Sequence, residues 1–399
     1  MAMADLGAAA PLVDELQKCH LLAPEHLAPI RAYCKNAPRH EPSDLVDFLV
    51  RQGILTRMQA DWALEERAGD LVLSQFLLTE ELGTGSMGTV YKARSMKADA
   101  CYALKIVPRR NIISINTVVE KVQALREIRH PRVSALIHLG ASGERVYLAW
   151  PFLEGGEKLD EMVRRQGKLT PRQTIQIGLQ VASGLLPYHE HGLFHGLLKP
   201  SDILIGTDRR VRILDFGVGF LLTSERGKSL LDTMTNTRAL ARGLDCSSPE
   251  SIMNPLDRTP VGDQYSLGCI LYFCLAGRFP FPNQNPVKKM LGHQCEEPTP
   301  LRELNPQASP RLAAIVECLM AKVPEERYES IADVVRELQS LTQSGPRRGP
   351  AQPTPPPSEP EEEDDEALEP RSGWGLWPLL LTGLAAGIIG GIMAVLLTH

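Results

Sequence analysis

The chain has 399 residues, 43% hydrophobic and 23% charged, the proportions of a soluble globular protein long enough for two or three domains. Its formal net charge is −5, yet residues 358–371 alone hold eight acids and one arginine, so the remainder is near neutral and gives no case for nucleic-acid binding. Eight cysteines (Cys19, Cys34, Cys101, Cys246, Cys269, Cys274, Cys295 and Cys318) stand without a C-x-x-C pair, unlike a zinc site or a disulfide framework, and fit a reducing cytoplasm.

The opening MAMADLGAAAPLVDELQ has no basic stretch ahead of its apolar one, so no secretory signal is expected. Residues 1–72 are read as a small helical domain, from the periodicity of DLVDFLVRQGIL (44–55) and TRMQADWALEERA (56–68), with Thr56 as an N-cap. Then come strand-like runs, FLLTEELG (76–83), TVYKARS (89–95) and CYALKIV (101–107), a meander of three antiparallel strands. Beyond residue 154 the pattern turns helical to about 343, most clearly in 174–192, 262–277 and 309–322. Seven prolines within 346–360 followed by EPEEEDDE make 344–373 a solvated linker with no apolar pattern to bury. Leu376 to Leu397 is a run of 22 uncharged residues. At 1.5 Å per residue it spans about 33 Å, close to a bilayer core, so 374–397 is read as a transmembrane helix. Trp374 and Trp377 stand at its entry, and Arg347, Arg348 and Arg371 on the near side favour a cytoplasmic bulk with a C-terminal anchor. Within it Gly383, Gly387 and Gly391 recur every four residues, a stripe suited to homodimerisation.

Gly83-x-Gly85-x-x-Gly88-x-Val90 lies between two strands rather than between a strand and a helix, unlike a dinucleotide fingerprint. Bare glycines let backbone N–H groups approach phosphates, and Lys105, 15 residues beyond Val90, can add a point charge to them. Leu-Asp215-Phe-Gly follows the apolar strand VRIL, and its carboxylate suits magnesium. Ser248-Pro249-Glu250, Asp263 in DQYSLG and Arg327 in PEERY complete the series.

Over roughly residues 77–341 this order of motifs resembles the bacterial, eukaryotic-like (Hanks-type) serine/threonine protein kinases. The resemblance implies an α+β, bilobal fold, with a β-rich small lobe at 77–153 and a helical large lobe at 154–343. It implies ATP and magnesium as ligands and a protein partner or substrate. Leu82, Gly83, Gly85, Gly88, Val90, Ala103, Lys105 and Leu204 would form the nucleotide pocket. Pro151 and Leu153 would offer a carbonyl and an N–H to the adenine edge, with Trp150 narrowing the pocket. Lys199 would touch the terminal phosphate, Asp202 and Asp215 would hold magnesium, and Glu250 would pair with Arg327. Glu120, or as an alternative Glu127, would pair with Lys105.

The resemblance breaks in the catalytic loop. Where the family has His-Arg-Asp-Leu-Lys-Pro-x-Asn, this chain has His195-Gly196-Leu197-Leu198-Lys199-Pro200-Ser201-Asp202. Leu197 has no lone pair with which to orient a substrate hydroxyl. General-base catalysis is worth about 10² to 10⁴ in rate, roughly 3–5 kcal/mol of transition-state stabilisation. Gly196 replaces the arginine that grips a phosphorylated segment, so Thr233, Thr235 and Thr237 lose that partner. Asp202 in place of asparagine can still ligate magnesium. Three readings follow: a nucleotide-binding pseudokinase, a slow or unconventional serine/threonine kinase, and a membrane scaffold that binds no nucleotide.

Overall fold

The computed structural model describes residues 6, 9–36, 41–85, 88–108, 115–143, 145–218, 241–254 and 258–343. The expected linker (344–373), the expected membrane helix (374–397) and Thr233, Thr235 and Thr237 lie outside them. Among the described residues no helix is long and apolar enough to cross a membrane.

Four short helices come first: α1 (Ala10–Lys18), α2 (Leu27–Asn36), α3 (Pro42–Arg51) and α4 (Arg57–Leu64). Thr56 starts α4 through a reciprocal cap, its hydroxyl accepting the Gln59 N–H at 3.2 Å while Gln59 Oε1 accepts the Thr56 N–H at 3.0 Å. Strands β1 (Val72–Leu73), β2 (Phe76–Gly85), β3 (Gly88–Ser95) and β4 (Cys101–Pro108) precede α5 (Ile115–Glu127), then β5 (His138–Ser142) and β6 (Arg145–Pro151). They form one antiparallel sheet in the order β1-β2-β3-β4-β6-β5.

Side chains alternate across a strand, and both faces of this sheet are covered. One face sends Leu148 and Trp150 into the core shared with the large lobe. The other sends Leu78, Tyr91, Ala93, Leu104, Tyr147 and Ala149 into a second core, which also contains Val13, Leu16, Ile30, Leu45, Leu49 and Ala60 from the helices. The helices therefore roof the small lobe rather than stand as a separate body. Trp62 meets the Tyr91 ring edge-on at 5.8 Å, Arg67 lies 4.4 Å over Trp62, and Arg145 pairs with Asp70 at 2.6 Å.

The large lobe opens with β7 (Glu157–Lys158), α6 (Leu159–Gln166) and α7 (Pro171–His189), followed by the hairpin β8 (Ile203–Ile205) and β9 (Val211–Ile213). It closes with α8 (Pro249–Met253), α9 (Pro260–Ala276), α10 (Pro286–Cys295), α11 (Leu301–Leu304), α12 (Pro310–Leu319) and α13 (Ile331–Gln343). Helix α9 is apolar around its whole circumference and buried from Asp263 to Leu275, as a central helix must be. Arg327 forks onto Glu250 with two bonds of 2.8 Å, tying α8 to the segment before α13.

Candidate functional site

A cleft of about 1020 Å³ is lined by both lobes. From the small lobe come Leu82, Gly83, Val90, Ala103, Lys105, Trp150, Pro151 and Leu153; from the large lobe, Lys199, Asp202, Leu204 and Asp215. Gly88 stands at the turn between β2 and β3 with φ +135°, and a Cβ there would sit 2.1 Å from the Ile106 carbonyl oxygen, so no other residue fits. It pairs with Gly85 across that turn. Trp150 is only 2% exposed, its ring packed into the inner core behind the cleft.

Lys105 and Asp215 form an ion pair, and both are largely buried. Burial pushes the Asp215 carboxyl up, but Lys105, with Lys199 and His195, holds it below the usual carboxylate value. Asp215 also has φ +53°, a left-handed conformation that few non-glycine residues adopt. Lys199 sits 3.0 Å from Asp202 Oδ1 and 3.2 Å from Oδ2. Burial lowers the Lys199 ammonium, and Asp202 and Asp215 outweigh it and raise the group above its ordinary value.

Glu120 is not the partner of Lys105, and neither is Glu127: both are exposed. Helix α5 turns Val122 and Leu125 into the core, and a residue two positions away lies about 200° around the helix. Glu120 precedes Val122 by two and Glu127 follows Leu125 by two, which places both on the outer side. Leu125 meanwhile packs on Gly217, where an added Cβ would be 2.4 Å from its Cδ1.

The catalytic loop is held from below. Asp263, fully buried, accepts the N–H of His195 at 2.7 Å and of Gly196 at 2.8 Å. The His195 ring bonds the Leu214 carbonyl at 3.0 Å, and Phe216 lies between the rings of His195 and Tyr188. The backbone of the expected loop is thus in place. Leu197, one of its altered positions, borders a small hollow of about 10 Å³ together with Leu198, Gly243, Cys246 and Ser248.

Sequence reasoning missed a further ion pair on the cleft wall, between Asp245 and Lys289. Burial raises the Asp245 carboxyl above its ordinary value, against the pull of Lys289. Asp245 lies in no periodic segment, and Lys289 reads as one more lysine of a helix. Their pairing depends on the packing of α10 against the segment before Ser248.

A six-stranded antiparallel sheet with a glycine turn, a buried lysine facing an Asp-Phe-Gly acid, and an Asp-anchored loop beneath them define a protein kinase fold. The protein kinase domain family matches residues 76–338, more than half of the chain, which therefore belongs to that family, in its bacterial Hanks-type serine/threonine branch. Similar proteins include a probable serine/threonine-protein kinase of Corynebacterium efficiens, 28% identical over 290 residues, 70% of this chain and 43% of the relative. The serine/threonine-protein kinase PknB of Mycolicibacterium smegmatis is 29% identical over 271 residues, covering 66% and 42%. PrkC of Bacillus subtilis, also a serine/threonine-protein kinase, is 26% identical over 276 residues, covering 68% and 41%. The chain spans less than half the length of these curated relatives. Protein kinases generally use ATP with magnesium. The donor set here suits both: two carboxylates for a hard cation that also takes phosphate oxygens, and two lysines for phosphate charge.

Proposed function

We propose that the chain is a membrane-anchored pseudokinase that binds ATP with magnesium and acts in signalling as a scaffold or allosteric partner. The observation that carries this reading is Leu197. A hydrocarbon occupies the position of the general base, while Lys105, Lys199, Asp202 and Asp215 line the nucleotide-sized cleft. Lys105 and Lys199 would meet the phosphates, Asp202 and Asp215 would hold magnesium, and magnesium would neutralise phosphate charge when bound. Leu153 and Pro151 would take the adenine edge. The apolar run at 374–397 is read as the anchor, with the bulk cytoplasmic, and Gly383, Gly387 and Gly391 as a face for self-association.

A second reading, a slow serine/threonine kinase, is favoured by Asp245, an acid on the cleft wall whose carboxyl feels the charge of Lys199. The deciding experiment follows magnesium-dependent ATP binding and phosphoryl transfer together, in the wild type, Leu197→Asp and Lys105→Met. The pseudokinase reading expects binding, no transfer above Lys105→Met, and a gain of transfer in Leu197→Asp. Robust wild-type transfer abolished by Lys105→Met makes the protein an enzyme; no wild-type binding leaves a scaffold without nucleotide.

A further inference from the structure

Strand β2 is interrupted twice on its way to the glycine turn. Leu78 pairs with Ala93 and Glu80 with Lys92, so Thr79 is an extra residue; Glu81 pairs with Tyr91 and Gly83 with Val90, so Leu82 is a second. The first interruption has a consequence of parity. Leu78 and Leu82 are four residues apart, and an unbroken strand would place them on the same face. Instead Leu78 is fully buried against the helical roof and Leu82 lines the cleft. The single extra residue at Thr79 switches the strand from one face to the other.

That residue is fastened from outside the kinase fold. Gln59, 4% exposed, donates its Nε2–H to the Leu78 carbonyl at 2.8 Å, and the Thr56 hydroxyl donates to the Thr79 carbonyl at 2.6 Å. On the other side the Thr79 hydroxyl donates to the Lys92 carbonyl at 3.1 Å. Helix α4 and its N-cap thus supply donors to both carbonyls of the bulge. From this geometry we infer that Thr56 and Gln59 are positioning residues of the nucleotide site: by holding the bulge at Thr79 they aim Leu82 and the start of the glycine turn into the cleft. The inference rests on the proposal that this cleft binds nucleotide.

The test uses the full chain and a fluorescent ADP analogue with magnesium, reading the dissociation constant beside the melting temperature without nucleotide. The variants are Thr56→Val and Gln59→Met, which keep bulk and remove the donors, and Thr56→Ser, which restores one. Ser309→Ala, which removes the N-cap of α12 in the large lobe, is the control for lost stability alone. Each donor-removing change is expected to weaken binding about fivefold, the equivalent of one net hydrogen bond of ~1 kcal/mol. Thr56→Ser is expected to bind as wild type, and Ser309→Ala to melt lower with its affinity unchanged. If wild type binds and Thr56→Val and Gln59→Met melt lower yet bind equally well, the helix is only structural and the inference is overturned. If wild type does not bind the analogue, the nucleotide reading itself fails and takes the inference with it.

Discussion

Cutting the chain at Phe76, where the family match begins, is expected to leave an unstable protein. The roof of α1 to α4 covers Leu78, Tyr91, Leu104 and Tyr147, none more than 8% exposed. Burying a large apolar side chain contributes about 1.5–3 kcal/mol, so uncovering these four removes about 6–12 kcal/mol. That is the size of the whole net stability of a typical protein, about 5–15 kcal/mol. The loss of the Gln59 and Asp70 contacts to β2 and Arg145 adds to it. The bared face would also be a contiguous apolar patch of the kind that drives association. The assay compares residues 1–343 with 76–343 for soluble yield, and for the midpoint of urea unfolding followed by circular dichroism. A soluble, monomeric 76–343 with the same midpoint would refute the reasoning, because it would show that the second core contributes nothing.

Glu250→Ala should cost about 3–5 kcal/mol in urea unfolding, because it leaves the fully buried Arg327 guanidinium without its carboxylate. Burial pushes the Glu250 carboxyl up, but Arg327 holds it below its ordinary 4.5. The pair's stabilisation is therefore full above that value and lost as pH falls through the depressed one, so the gap between wild type and Glu250→Gln should shrink in acid. Asp263→Ala strands the buried N–H groups of His195 and Gly196 at about 1–3 kcal/mol each, read by the same assay. ATP with magnesium at 100 times its dissociation constant should stabilise the protein by about 2.7 kcal/mol. A thermal-shift measurement should show that gain vanish without magnesium and in Asp215→Asn.

The parts of the site that proved legible in sequence are those fixed by local chemistry in chain order. The glycine turn, Lys105 on the third strand of the meander, and Asp215 after an apolar strand each sit where a short motif places them. The Glu250–Arg327 pair was legible through the family resemblance, which implies it, and the structure brings the two side chains together. The partner of Lys105 was not, because it depends on how far α5 is rotated, and a helix's pattern states which face is apolar without stating how the helix sits. Trp150 shows the same limit. Its size was readable, but its direction is set by strand parity and by a core drawn from distant segments. The roof was readable as helices, while its target was not: the sheet's outer face carries Tyr91, Leu104 and Tyr147 one per strand, and nothing local says what covers them.

The same roof sets an order for synthesis. Its helices leave the ribosome before the sheet does, but the apolar surface that receives them is finished only when β6 delivers Tyr147 and Ala149, whose contacts include the edge-on meeting of Tyr147 with Phe76 at 5.8 Å. Contacts across so many residues close slowly, and unpaired apolar helices are prone to association while they wait. The first piece of nascent chain able to bury the roof therefore runs from the start of α1 to the end of β6, so its earliest cooperative folding unit joins the helical segment to the small lobe.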